Sequence, residues 1–411
     1  MTAQYDVGGK LSPPAILLTM SIAIAMPLDV TAQTVAGADT SVGAIAATNP
    51  YLLETGDTGE VGVNITLRPW ISLTEDDTTV TLDGAVYLES FLDGQRIEES
   101  VQFGGSMEHR ANERTTITAD LGLRSSESAA RRYFGGTDLG DLEPGEFPDD
   151  PIIDPSLGTL SGRTSRFDVN IGVDHRISSN EVLGLSVGGG RTEVDARNGE
   201  DYRDASAAGS YSRSLNPRTS LRATINAGYA DYLGRRAGDG HFVTTLVGVD
   251  HQLTESMYAS AQIGISYSVV ETLPRGRDKT TNWAALVDLC DLFARGRLCV
   301  NGSRAVQPTS LGGLTTVSAI GASYSRSVGS NGSMSLSAKY SRSSRSENSA
   351  VVAGRPRSRI AHVNGAYSHR LGERVSAFVT PSFTSSRDEL FGSRENYEII
   401  AGITYHWGAR R

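Results

Sequence analysis

The stretch Asn396 to Trp407 reads Asn-Tyr-Glu-Ile-Ile-Ala-Gly-Ile-Thr-Tyr-His-Trp, and its two faces differ. Ile399, Ala401, Ile403, Tyr405 and Trp407 fall on one side. Glu398, Ile400, Gly402, Thr404 and His406 fall on the other. Alternation with period two is the signature of a strand. An apolar side, a mostly polar side and an aromatic end are what a membrane-crossing barrel strand requires. One such strand decides little, because soluble sandwiches alternate too. The chain repeats the pattern along its length.

Val61, Val63, Ile65 and Leu67 alternate with Gly62, Asn64, Thr66 and Arg68. Val80, Leu82, Val86 and Leu88 alternate with Thr81, Asp83, Tyr87 and Glu89. Phe167, Val169, Ile171 and Val173 continue the series, as do Leu221, Ala223, Ile225 and Ala227, and Ala259, Ala261, Ile263 and Ile265. The turns repeat as well. His109-Arg110, His175-Arg176, Arg213-Ser214, His251-Gln252 and His369-Arg370 each open a short polar connection, with Arg326-Ser327 a weaker copy. A hairpin is therefore the repeat unit.

Short turns fall around Ile71, Ala111, Ser178, Leu215, Leu253, Ala294, Gly329 and Leu371. Eight hairpins and the final strand make 17, whereas single-chain bacterial barrels have an even number. Either a weak strand hides between Val35 and Leu53 or that segment threads the lumen. The hidden strand is preferred. The expected fold is all-β: a transmembrane up-and-down antiparallel β-barrel of 16 to 18 strands, with 18 preferred. Short turns would lie at the periplasmic end and longer connections outside the cell.

Composition agrees. The net charge of −9 argues against a nucleic-acid partner. No long apolar run follows the N-terminal segment, so no membrane helix is expected, and alternating strands dilute hydropathy. Residues 1–32 read as a signal peptide: Lys10, then an apolar core from Ala15 to Met26, then Val30-Thr31-Ala32 as a cleavage site. Residues 33–57 form an N-terminal segment, and 58–411 the barrel. The expected location is the outer membrane of a Gram-negative bacterium. The expected surroundings are outer-membrane lipid and lipopolysaccharide.

The connection Arg124 to Arg163 is the longest, and it is acidic: Asp138, Asp141, Glu143, Glu146, Asp149, Asp150 and Asp154. A loop of this length is functional or disordered. It reads either as a lid or pore-narrowing loop or as a solvated surface loop. Cys290 and Cys299 flank a turn at equal distance from its centre and share the inward face. Opposed residues of an antiparallel pair have the spacing a disulfide needs. Two cysteines with no nearby histidine make too few ligands for a metal.

Among metal-ligand, phosphate-loop and dithiol motifs, no HExxH, Walker loop or CxxC occurs. Gly188-Gly189-Gly190 reads as a strand end before a loop, with no helix to make a phosphate cradle. His362 and Asn364 share an inward face with nearby serines, so a Ser-His enzyme is a distant rival. No cofactor is expected. The predicted lumen residues are Arg68, Asp83, Glu89, Asp120, Asp168, Asn170, Arg222, Asn226, Gln262, Asn301, Lys339, His362 and Glu398. A wall of mixed sign selects weakly between ions.

Asn49-Pro50-Tyr51, Leu67-Arg68-Pro69, the repeated His-Arg turns, Gly296-Arg297-Leu298-Cys299-Val300 and Val306 to Leu314 carry a resemblance. Together they resemble the type-2 family of β-barrel porins found with exopolysaccharide clusters. The resemblance implies a barrel that helps a secreted polysaccharide cross the outer membrane, beside a periplasmic polysaccharide export protein. It brings no catalytic motif. A general porin for small solutes and a plugged structural or adhesive barrel are the alternatives.

Overall fold

The computed structural model describes residues 33–52, 59–92, 97–127, 162–195, 199–234, 238–272, 276–310, 313–344, 358–388 and 392–408. The strands are β1 (Gln33–Ala47), β2 (Glu60–Glu75), β3 (Thr78–Phe91), β4 (Ile97–Asn112), β5 (Thr115–Ser126) and β6 (Arg163–Ser178). Next come β7 (Glu181–Asp195), β8 (Tyr202–Asn216), β9 (Thr219–Tyr232), β10 (Gly240–Gln252), β11 (Met257–Thr272) and β12 (Gly276–Phe293). The last are β13 (Gly296–Pro308), β14 (Leu314–Val328), β15 (Gly332–Ser344), β16 (Ser358–Arg370), β17 (Val375–Asp388) and β18 (Gly392–Gly408). They form one antiparallel sheet of 18 strands. β1 pairs with β2 on one side and β18 on the other, so the sheet closes.

The strand hidden in the N-terminal segment is β1. Its alternation is weak because Ala, Gly, Ser and Thr fill most of it. Ladder hydrogen bonds to β2 and β18 hold it where side chains supply little. One expected turn is misplaced. Ile71 lies inside β2, opposite Leu82, and the chain reverses at Asp76 and Asp77. Gly188 to Gly190 likewise lie within β7, which runs on to Asp195.

The outward face is apolar. Val63, Ile65, Val169, Ile171, Val187, Ile225, Ile263 and Ile403 are all exposed. In water such a surface would be costly; in a bilayer it is satisfied, and the closed ladder leaves no backbone edge in lipid. Aromatic side chains stand toward both ends of the outward face. Tyr405 and Trp407 sit near the periplasmic turns, and Trp283, Tyr340 and Tyr397 near the extracellular ends. This is the build of a Gram-negative outer-membrane barrel.

The turn repeat in the sequence is a register repeat in the structure. His109, His175, Arg213, His251, Arg326 and His369 stand opposite Thr78, Thr115, Glu181, Thr219, Gly296 and Gly332. Each of those partners is the first residue of the preceding strand. Where the partner is threonine, its hydroxyl bonds the ring Nδ1: Thr78 to His109 at 2.8 Å, and Thr115 to His175 and Thr219 to His251 at 3.0 Å. These pairs fasten the periplasmic ends of neighbouring hairpins. The covalent link is elsewhere. Cys290 and Cys299 are bonded, opposite each other across β12 and β13. Residues 1–32 lie outside the described residues.

Candidate functional site

The site this fold offers is its lumen. Strand parity turns one face of every strand inward, and each residue predicted to line the lumen shares parity with it. Asn64, Thr66 and Arg68 point in from β2, between the exposed Val63, Ile65 and Leu67. Glu89 is buried, accepts the Asn64 amide at 2.9 Å, and faces Glu98 across the pair. Asp120 stands directly opposite Asn170. Arg222 forms an ion pair with Asp250 at 3.1 Å, and Ser260 donates to Asp250 at 2.6 Å. Asn226 faces Thr244, which bonds Ser266 at 2.6 Å. Glu398 faces Ser382 and Ala47.

Several inward side chains lie along the wall and do not project into the channel. A β-carbon on Gly122 would fall 2.6 Å from Asp168 Oδ2. One on Gly104 would fall 2.9 Å from Asp83 Oδ1, and one on Gly248 2.6 Å from the Gln262 side chain. Asn301 occupies the same kind of space over Gly321. The glycines make beds in which polar side chains recline. The richness in glycine, 45 residues in all, thus has one cause in the lumen wall.

A polar row crosses six strands in register: Asn301, Gly321, Lys339, His362, Thr384 and Asn396. His362 is buried, and its Nδ1 bonds Thr384 Oγ1 at 2.8 Å. Ser337 donates to Asn364. The Ser-His pair that an enzyme would need lies elsewhere, at the periplasmic end. Ser376 Oγ is 3.1 Å from His406 Nε2, and His406 Nδ1 is 2.6 Å from Asp39 Oδ1. A nucleophile–base–orienter chain looks like this. Ser376 is laddered on both sides, to Arg370 and Thr404, so its peptide N–H is committed and offers no oxyanion donor. The chain ties β17, β18 and β1 together where the barrel closes. Among the described residues, no group of three or more His, Cys, Asp or Glu is placed to hold a metal ion.

A further set of inward contacts follows β13, and no local motif announces it. After β13 the chain does not stay above the rim. Thr309 and Ser310 are fully buried, and Ser310 O accepts from Glu200 N at 2.8 Å, across from the far side of β9. Tyr232 Oη donates to Gly313 O at 2.7 Å and accepts from Thr309 N at 3.2 Å. Leu314 packs on Tyr202, Ala230 and Tyr232. Thr309, Ser310, Gly313 and Leu314 thus lie against the inward face of β8 and β9, across from β13 and β14. Parity could have placed Tyr202 and Tyr232 together on that face, since they are direct partners with rings 5.4 Å apart. Nothing local in the sequence joins them to Thr309. A second inward bend follows β1. Tyr51 meets Phe91 edge-on at 5.9 Å, beside Ile45, Ala47 and Ile400.

The candidate gating residues Asp138, Asp141, Glu143, Glu146, Asp149, Asp150 and Asp154 lie outside the described residues.

A scan against protein-family models finds no match, and no curated protein matches the chain. Solved structures do. The outer membrane protein OpdK of Pseudomonas aeruginosa is 11% identical, covering 90% of this chain and 99% of its own, with a TM-score of 0.45. OccK2 (OpdF) of the same organism is 12% identical, covering 92% and 98%, at 0.43. The anion-selective porin of Comamonas acidovorans is 12% identical, covering 92% and 100%, at 0.37. The first is an outer membrane protein and the third an anion-selective porin by name, and the selectivity of the latter is its own.

Proposed function

We propose that the chain is an outer-membrane diffusion channel for small polar solutes, narrowed near its extracellular mouth by the connection between β13 and β14. The observation that carries this is the pair of hydrogen bonds between Tyr232 and the Thr309–Gly313 backbone, which hold that connection inside the rim. Barrels of 16–18 strands leave an aqueous channel. The wall offers hydroxyls, amides and paired charges, so a passing solute meets weak, reversible hydrogen bonds. Swelling of liposomes carrying the refolded barrel tests this. Uptake should fall with sugar size, and shortening the 309–313 segment should raise the size limit. Exclusion of every sugar by both forms would refute the channel.

A second reading is passage of a secreted polysaccharide, driven from the periplasm with an export protein as partner. Its support is that Thr309, Gly313 and Leu314, within one of the segments resembling the type-2 barrel porins, pack on the inward face of β8 and β9. A polymer threading the channel should block ion current from the periplasmic side only. Blockade that is absent or equal from both sides would count against it.

A further inference from the structure

The outward face of β13 to β17 carries a row of arginines near its extracellular end. Arg304 pairs with Ser318, Ser318 with Arg342, Arg342 with Arg359, and Arg359 with Arg387. Their side is the lipid side. Tyr340 and Val363, on the same face of β15 and β16, are exposed, while the intervening Ser341, Ser343, Ser358, Ile360 and Ser386 are buried.

Arg342, Arg359 and Arg387 stand ten, eleven and twelve residues from the periplasmic ends of their strands at Gly332, Arg370 and Val375. With a rise of about 3.3 Å per residue and a tilt of about 40°, they lie roughly 25–30 Å above the periplasmic turns. The apolar band of such a barrel is about 25 Å tall. The three guanidiniums therefore sit at the level of the outer-leaflet headgroups. Tyr340, Val363 and Phe383 lie below them, with Phe383 against Tyr397 at 4.7 Å. Charge stands over an apolar and aromatic surface.

Like charges directly opposite one another destabilise a strand pair. Three other arginines of this rim each have a carboxylate. Arg163 meets Glu127 at 3.0 Å, Arg191 meets Glu193 at 2.7 Å, and Arg277 meets Glu271 at 3.0 Å. Among the described residues, no ion pair reaches Arg342, Arg359 or Arg387. Glu395 shares their face, opposite Ser385, and makes no ion pair with them. Arg342 Nε is buried and makes no hydrogen bond. Adjacent strands are about 4.8 Å apart, so one ligand with several anionic groups can meet successive guanidiniums. Phosphates suit the guanidinium fork.

We infer that this row binds the phosphorylated sugar headgroup of a lipopolysaccharide-type glycolipid, whose acyl chains lie on Tyr340, Val363 and Phe383. The inference rests on the barrel spanning the outer membrane and not on what passes through it. The test uses the whole refolded barrel in a neutral detergent, with bound lipid read by native mass spectrometry. Bisphosphorylated lipid A, dephosphorylated lipid A, phosphatidylglycerol and inorganic phosphate are the probes. The bisphosphorylated form should bind at least about tenfold more tightly than the dephosphorylated form, and the triple variant Arg342→Gln, Arg359→Gln, Arg387→Gln should lose that margin. Removing unpaired like charges leaves folding intact, which heat-modifiable gel migration checks; Arg359→Gln alone should give a smaller loss. Equal binding of the dephosphorylated form, or no effect of the triple variant, overturns the inference. So does displacement of lipid A by phosphatidylglycerol or by phosphate alone at equal concentration.

Discussion

Asp168 reclines across Gly122, its Oδ2 only 2.6 Å from where a β-carbon of Gly122 would stand. The carboxylate is held against the wall, beside the Arg166 guanidinium at 3.4 Å. Glycine thus decides how much charge the lumen water meets.

Gly122→Ala should therefore push the carboxylate into the channel. The reversal potential in a salt gradient should shift toward cation preference. Adding Asp168→Asn should cancel the shift. A shift that survives the second change would mean the carboxylate is not its source.

Tyr232→Phe removes the donor to Gly313 O and the acceptor for Thr309 N. Two buried hydrogen bonds net about 1–3 kcal/mol together. The 309–313 segment should loosen while the ladder persists. Noisier and on average larger single-channel currents are expected, with strand content by circular dichroism unchanged. Currents like those of the unaltered chain would show that the tether does not hold the constriction.

Reduction of the Cys290–Cys299 bond, or Cys290→Ser with Cys299→Ser, should lower stability by about 2–3 kcal/mol. The bond ties one hairpin near its periplasmic turn, so conductance should not change. Urea unfolding in detergent measures the first effect and bilayer recording the second.

Placing Arg at Ile403, exposed to lipid in β18, should cost about 2–4 kcal/mol. The same change at Thr404, which faces inward and bonds Ser41 at 2.8 Å, should cost much less. Equal costs in folding titrations into lipid vesicles would contradict the facing of β18.

Much of this was legible in the residues. Period-two runs such as Phe167 to Val173 revealed strand and face together, because lipid and water sort side chains at every second position. The even strand number pointed to β1 despite its small residues. The cysteine pairing followed from register. The turn near Ile71 was misread, because Pro69 breaks the alternation while the ladder resumes on both sides of it, at Leu67–Val86 and Trp70–Asp83. The inward docking of Thr309 on Tyr232 was out of reach, as it depends on a contact 77 residues apart. So was the convergence of Ser376, His406 and Asp39, whose members come from the two ends of the chain.

Single-channel recording of the refolded barrel in a planar bilayer tests the central claim most directly. Stable, weakly ion-selective current steps, enlarged when the 309–313 segment is shortened, are the expected result. A barrel that inserts yet passes no current, with or without that segment, would contradict the account and leave a plugged structural barrel.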